Sequence, residues 1–222
     1  MSNEARTNIL ARLRESVVQK PSHLSPPAFD EAFWLAQQPP VGDLADRFQA
    51  EAEKLSSKVI RVKTWEELPA AVVPWFKEFK VSSVMTGQEP RLEPLRQHLA
   101  AELGVSLHRF DRTLEEQRDE IFAMDCGVTT SLGAIADTGT VVLVPDAAEP
   151  RLLSLAPQVH LVVVEKDKLF PTITEMLGTG KYESDLPSNM VFISGASRTA
   201  DIELTLVMGA HGPRVFLVAI VG

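Results

Sequence analysis

Two stretches of small polar residues hold most of the chemistry this sequence could perform. The first, Gly127–Thr140, places Thr129, Thr130, Ser131, Asp137, Thr138 and Thr140 around Gly127, Gly133 and Gly139. Hydroxyls at that density in a β-loop suit the rim of a ligand pocket, with Asp137 as acid, base or hydrogen-bond acceptor. Turns favour the same residues for purely local reasons, so the reading stays open. The second stretch runs from Ile193 to Pro213. An apolar strand delivers the chain into Ser194-Gly195-Ala196-Ser197-Arg198-Thr199, followed by Ile202, Leu206 and Gly209 at i, i+4, i+7. That spacing predicts a helix from about Thr199. A strand-loop-helix unit would aim free N–H groups and a positive dipole end outward at the carboxyl edge of a sheet, where open α/β proteins bind ligands.

On that reading the loop is an anion cradle. Gly195 lets a ligand approach the backbone, Ser194, Ser197 and Thr199 donate hydroxyl hydrogen bonds, and Arg198 adds a bidentate charge. The competing reading makes Ser197 or Thr199 an ordinary N-cap and Arg198 a solvated side chain. Glu203 sits among apolar neighbours; burial would raise its pKa and suit it to acid–base catalysis, whereas an edge position would leave it ordinary. His211-Gly212-Pro213 supplies what a helix end needs, so His211 is either a cap or a ligand contact. Cys126 has no base beside it and reads as a small buried residue. His23, His98, His108 and His160 show no metal-ligand spacing. Neither a Walker loop nor a GxGxxG motif is present.

Composition narrows the classes. The chain has 222 residues and a net charge of −8, from 22 Lys plus Arg against 30 Asp plus Glu. An acidic chain without a Lys/Arg cluster is a poor fit to a phosphate backbone, which argues against nucleic acid. One cysteine can form neither an internal disulfide nor a four-cysteine iron–sulfur site, so no cofactor is expected on this chain. No apolar run approaches the roughly 20 residues of a bilayer span, and the N-terminus lacks the apolar core of a signal peptide. The expectation is a cytoplasmic protein without membrane insertion.

The elements that must position these residues follow from periodicity. Ala5, Ile9, Leu13 and Val17 fall at spacing four, predicting an amphipathic helix over 3–19. Five prolines between Pro21 and Pro40 then forbid a continuous helix. Residues 1–41 therefore read as an N-terminal helix and Pro-rich arm, whose Phe29, Phe33 and Trp34 are expected to dock on the body or a partner. Residues 42–222 read as one α/β domain. Helices are expected over 43–55, from a capping box at Thr64–Glu67 to about Lys80, over 90–103, and from a second capping box at Thr113–Glu116 to about Met124. Strands are expected at 58–62, 82–85, 105–110, 141–144, 159–164, 190–193 and 215–221. Their nearly continuous Val/Ile/Leu/Phe runs suit strands covered on both faces. Asp137-Thr138-Gly139 is turn chemistry and predicts an antiparallel hairpin. The fold class is thus a three-layer α/β arrangement with a mostly parallel sheet, helices on both faces and an inserted antiparallel hairpin. A C-terminal strand exposed at an edge would invite a homodimer.

Four segments together carry a resemblance: "ILARLRE" near the start, "GVTTSLGAIADTGTVVL" at 127–143, "EPRLLSLAPQVHLVVV" at 149–164 and "SGASRTADIELTLVMGAHGP" at 194–213. Together they resemble the LUD (lactate utilization) domain family. The resemblance implies the fold shared by CoA transferases, ribose-5-phosphate isomerases and glucosamine-phosphate deaminases. It also implies action beside two iron–sulfur proteins in oxidising L-lactate to pyruvate. With one cysteine the clusters would sit on those partners, and this chain would bind a small anionic ligand or organise the complex. The family's AETGT stands here as Ala136-Asp137-Thr138-Gly139-Thr140, shortening the carboxylate arm by one bond length. Two alternatives are a free-standing enzyme of the CoA transferase/sugar-phosphate isomerase superfamily, on a phosphorylated or acyl substrate, and a non-catalytic adaptor.

Overall fold

The structure is a computed structural model that describes residues 3–18, 32–33, 42–178, 187–200 and 206–222. The chain divides into two compact units, Met1–Pro40 and Val41–Gly222. In the first, spacing-four apolar residues form helix α1 (Asn3–Val18), with Ile9 and Leu10 exposed. The Pro-rich arm, apart from residues 32–33, lies outside the described residues.

The second unit is built on six parallel strands in the order β1-β12-β7-β4-β2-β3. They are β1 (Lys58–Val62), β2 (Ser83–Thr86), β3 (Ser106–Arg109), β4 (Cys126–Thr130), β7 (Val159–Glu165) and β12 (Val215–Val221). Side chains alternate across this sheet, and since both faces are covered the strands carry apolar residues at nearly every position. Leu161, Val163, Leu217, Ala219 and Val221 pack against Leu68, Val72 and Phe76 of α3 (Leu68–Glu78) and Leu95 and Leu99 of α4 (Glu93–Leu103). Val162, Val164, Phe216, Val218 and Ile220 pack in the opposite layer. That layer holds Ala45, Phe48 and Ala52 of α2 (Leu44–Lys54) and Val141 and Leu143 of β6 (Thr140–Leu143).

The antiparallel insertion is larger than a hairpin. β5 (Gly133–Ile135) and β6 pair across the Asp137-Thr138-Gly139 turn as expected. β8 (Leu169–Phe170) and β9 (Val191–Ile193) then extend them to a four-stranded sheet, β8-β5-β6-β9. A short helix, α6 (Ile173–Leu177), follows β8.

Two local expectations are corrected. No capping box forms at Thr64: α3 starts at Leu68, its cap Glu67 makes no side-chain cap bond, and the Glu67 carboxylate accepts from the Lys63 N–H at 2.8 Å. Pro69 sets that start, because proline's fixed φ and missing N–H suit the first helical turn. At Thr113 the box is present in both directions, opening α5 (Leu114–Ala123). The second correction concerns the segment after Ser197. Arg198–Ala200 (β10) and Leu206–Met208 (β11) are antiparallel partners, so the helix predicted from Thr199 is absent there. Ile202, Leu204, Leu206 and Met208 also alternate at period two, and β-branched Thr199, Thr205 and Val207 favour the extended form.

Candidate functional site

The loop joining β9 to β10 folds over the amino ends of the central strands, not their carboxyl ends. β9 belongs to the small antiparallel sheet, so its end does not open at the carboxyl edge. Gly195 has φ of +107°, and a Cβ there would lie 2.5 Å from the Leu55 carbonyl oxygen behind α2; Gly139, at +59°, is backed against α2 in the same way. Only glycine fits such positions. The Ser197 N–H donates to the Pro213 carbonyl at 2.8 Å, and the Ser197 carbonyl accepts from Gly209 at 2.9 Å. The loop is therefore pinned to the His211-Gly212-Pro213 segment. His211 caps no helix, because it follows a strand.

Between these segments lies a cavity of about 230 Å³. Ser194, Gly195, Ser197, His211 and Pro213 form one side, and His160, Phe216 and Ser154 the other. His160 and Phe216 occupy the second positions of β7 and β12, which puts the cavity at the amino edge. Ser154 comes from a 3₁₀ turn, Arg151–Ser154, that lies directly on β4: a Cβ at Gly127 would stand 2.1 Å from the Leu153 carbonyl oxygen. Gly127 is thus required by close approach and does not itself line the cavity. A larger cavity of about 430 Å³ shares Leu155, His211 and Gly212 as lining residues.

His160 is the most unusual group here. It is fully buried, its ring lies 5.4 Å from that of Phe216, and Thr129 Oγ1 is 2.8 Å from its Nε2. Its Nδ1 is buried and has no hydrogen-bond partner among the described residues. Burial pushes its pKa down to about 3, so the imidazole is neutral at physiological pH. Thr129, 3% exposed, is held in place for this contact by β4. The sequence did carry a signal for His160: one polar residue in the continuous run of a buried strand must find a partner.

The remaining predicted residues separate from the cavity by degrees. Thr140 Oγ1 lies 2.8 Å from Thr138 Oγ1 and 2.6 Å from Ser194 Oγ, a hydroxyl chain tying the Asp137 loop to the rim. Asp137 itself is not a lining residue. Its N–H donates to the Pro171 carbonyl, its Oδ1 is buried without a partner among the described residues, and burial raises its pKa against the pull of Arg47. Arg198 is exposed and donates to the Ser56 hydroxyl behind α2, and Thr199 is a β10 residue paired with Val207. Glu203 lies outside the described residues. Cys126 is buried in the core, and burial pushes its thiol pKa well up.

The carboxyl edge holds a different kind of crevice. β2 leads to β3 on one side of the sheet while β4 leads toward β7 on the other, so the chain reverses direction between them. Glu149 is half-buried there, accepting from the Thr130 N–H and hydroxyl at 3.0 Å each, and desolvation raises its pKa. Gln88, Glu89, Thr130 and Asp146 complete a cavity of about 430 Å³. Three carboxyl groups and no basic side chain make this lining hostile to anions. Among the described residues the amino-edge cavity is lined by hydroxyls, imidazoles and apolar side chains without a carboxylate, a lining less hostile to anions. Among the described residues no cluster of His, Cys, Asp or Glu could hold a metal ion, and no helix is long and apolar enough to cross a membrane.

Comparison with known proteins agrees with this architecture. A crystal structure of a DUF162 family protein from Deinococcus radiodurans superposes with a TM-score of 0.59 at 22% identity, covering 82% of this chain and all of that one; the likeness is of fold. An uncharacterised protein of Neisseria meningitidis serogroup B is 30% identical over 228 residues, spanning 95% of this chain and 90% of the relative. Lactate utilization protein C 1 of Bacillus mycoides is 29% identical, over 92% of this chain and 88% of the relative, and lactate utilization protein C of Oceanobacillus iheyensis is 25% identical over 88% and 85%. The model of the LUD domain matches residues 45–221, nearly the whole second unit. The chain belongs to the LUD domain family.

Proposed function

We propose that this chain is a subunit of a lactate utilisation system, oxidising L-lactate to pyruvate, and that it binds a small carboxylate in the amino-edge cavity. Two relatives of similar length bear the name lactate utilization protein C, which supports the system. The cavity is the observation that carries the ligand. At about 230 Å³ it falls below the roughly 300–1,000 Å³ of pockets for drug-sized ligands, suiting a three- or four-carbon acid better than a nucleotide. Imidazole and serine side chains line it, and among the described residues no lining carboxylate repels an anion.

Oxidation of L-lactate to pyruvate releases two electrons and two protons. A chain with one cysteine cannot ligate an iron–sulfur cluster through four thiolates, so iron–sulfur partner proteins would take the electrons. This subunit would hold the acid or organise those partners. The test is genetic. Removing the gene from its host, in a background without another lactate dehydrogenase, is expected to abolish growth on L-lactate, and the intact gene to restore it. Normal growth of the deletion strain would overturn the proposal.

A further inference from the structure

We infer that Ser106, His108 and Glu120 form a second reactive site, a triad in which Ser106 is the nucleophile toward activated carboxylic esters. It stands apart from the amino-edge cavity, at the outer edge of the central sheet: β3 is the last strand in the order, three places from β7. The contacts run in the sense such chemistry requires. Ser106 Oγ lies 2.8 Å from His108 Nε2, and His108 Nδ1 lies 2.6 Å from Glu120 Oε1. Nucleophile, base and orienting carboxylate are thus within hydrogen-bond reach in that order.

Residues two apart on a strand share a face, so β3 sets Ser106 beside His108, while Leu107 between them packs against the core. The acid comes from α5, whose start is fixed by the capping box at Thr113 and Glu116. Glu120 is also held through its other oxygen: Oε2 accepts from Arg112 Nη2 at 2.7 Å and from Gln117 Nε2 at 3.1 Å. Gln117 is itself buried and anchored. It accepts from the Asp111 and Arg112 N–H groups at 2.9 Å each and donates to the Arg109 carbonyl at 3.0 Å. These contacts, that of Gln117 foremost, hold the Glu120 carboxyl below the usual carboxylate range, so it is ionised near pH 7. A carboxylate carries no hydrogen. In the neutral ring the hydrogen therefore sits on Nδ1, Nε2 is bare, and the Ser106 hydroxyl donates to it.

Acyl transfer at this site balances with water as the only other reactant. Ser106 Oγ bonds to the ester carbonyl carbon as its proton passes to His108 Nε2, and the imidazolium returns that proton to the departing alkoxide or phenoxide. Water repeats the sequence on the acyl-serine and releases the acid. For the developing oxyanion the chain offers one backbone donor. The Ser106 and Phe110 N–H groups donate to the Ser82 and Thr86 carbonyls along β2. The Leu107 N–H, of opposite parity, therefore faces the open edge and donates to nothing among the described residues. With a single such donor and an exposed Ser106, the site suits esters with good leaving groups and turns them over slowly.

The test uses the full chain and a fluorophosphonate probe. The serine oxygen–phosphorus bond forms, the phosphorus–fluorine bond breaks, and fluoride leaves as His108 takes the proton. Peptide mass spectrometry is expected to place the adduct on Ser106, and p-nitrophenyl acetate to acetylate the same residue. Ser106→Ala is expected to leave the chain unlabelled, and His108→Asn to slow labelling by about 10²-fold or more. Glu120 acts through His108 as a positioning residue. Glu120→Gln is expected to slow labelling about tenfold and to move the His108 Nδ1–H proton resonance, strongly downfield in the wild type, back upfield. A wild-type chain that takes no probe on Ser106, or takes it evenly over its exposed serines, overturns the inference even if every variant fails to fold. Labelling of Ser106 at an unchanged rate in His108→Asn overturns it too.

Discussion

His160 is neutral because it is buried, and that has a consequence for acid stability. Its pKa is pushed down to about 3 from the usual 6.5. Between those values the unfolded chain binds a proton that the folded chain refuses, so stability falls as pH falls, by about 1.4 kcal/mol per pH unit. Chemical denaturation of the wild type at pH 7 and pH 5 is expected to show a loss of about 2 kcal/mol that His160→Gln lacks. Parallel curves for the two proteins would contradict this. Gly127 makes a separate prediction. Its Cβ would stand 2.1 Å from the Leu153 carbonyl oxygen, so Gly127→Ala must displace the turn that carries Ser154. A loss of about 2–3 kcal/mol in a urea titration is expected, with weakened ligand binding, and a neutral substitution would show that the turn yields freely. Ser194, Gly195, Ser197 and His211 stood out in the sequence because small polar residues and glycine interrupt an apolar pattern there, and all four line the amino-edge cavity. His160 showed only as one polar residue in a buried strand, because residue type alone does not say which partner such a group finds.

At the scale of elements, the two threonine-led motifs differ in a measurable way. Thr113 caps α5 in a complete box, so Thr113→Ala is expected to cost about 1 kcal/mol of unfolding free energy. Thr64 caps nothing, and Thr64→Ala should fall within about 0.5 kcal/mol of wild type. Equal losses would mean that α3 starts earlier than Leu68. Both motifs look alike in sequence; Pro69 decides between them, since it starts α3 beyond Thr64. The stretch from Arg198 to Met208 fails for another reason. Its apolar residues satisfy helix and strand periods at once, and at Arg198–Ala200 and Leu206–Met208 pairing between β10 and β11 selects the strand. Most central strands, by contrast, were visible within a residue or two, because burial on both faces leaves a continuous apolar run.

For the whole molecule, the parallel α/β class followed from those runs, whereas strand order did not, since no strand's sequence names its neighbours. The edge on which the second polar stretch sits depended on that order. Once β9 joins β6 in the small sheet, the loop after it falls at the amino ends of β7 and β12. Among the described residues, the four hydrophobic clusters lie within Val41–Gly222. Removing residues 1–40 is therefore expected to shift the melting temperature by less than about 2 °C. The same truncation is expected to reduce recovery of the proposed iron–sulfur partners in a pull-down from the host, and undiminished recovery would refute a partner role for the arm. At this scale the proposal is that a small carboxylate occupies the amino-edge cavity. The most direct test is to follow an imidazole resonance of His211, which lines the cavity, during a pyruvate titration. The account predicts a shift that saturates with calorimetric binding; pyruvate binding that leaves this resonance unmoved would contradict it.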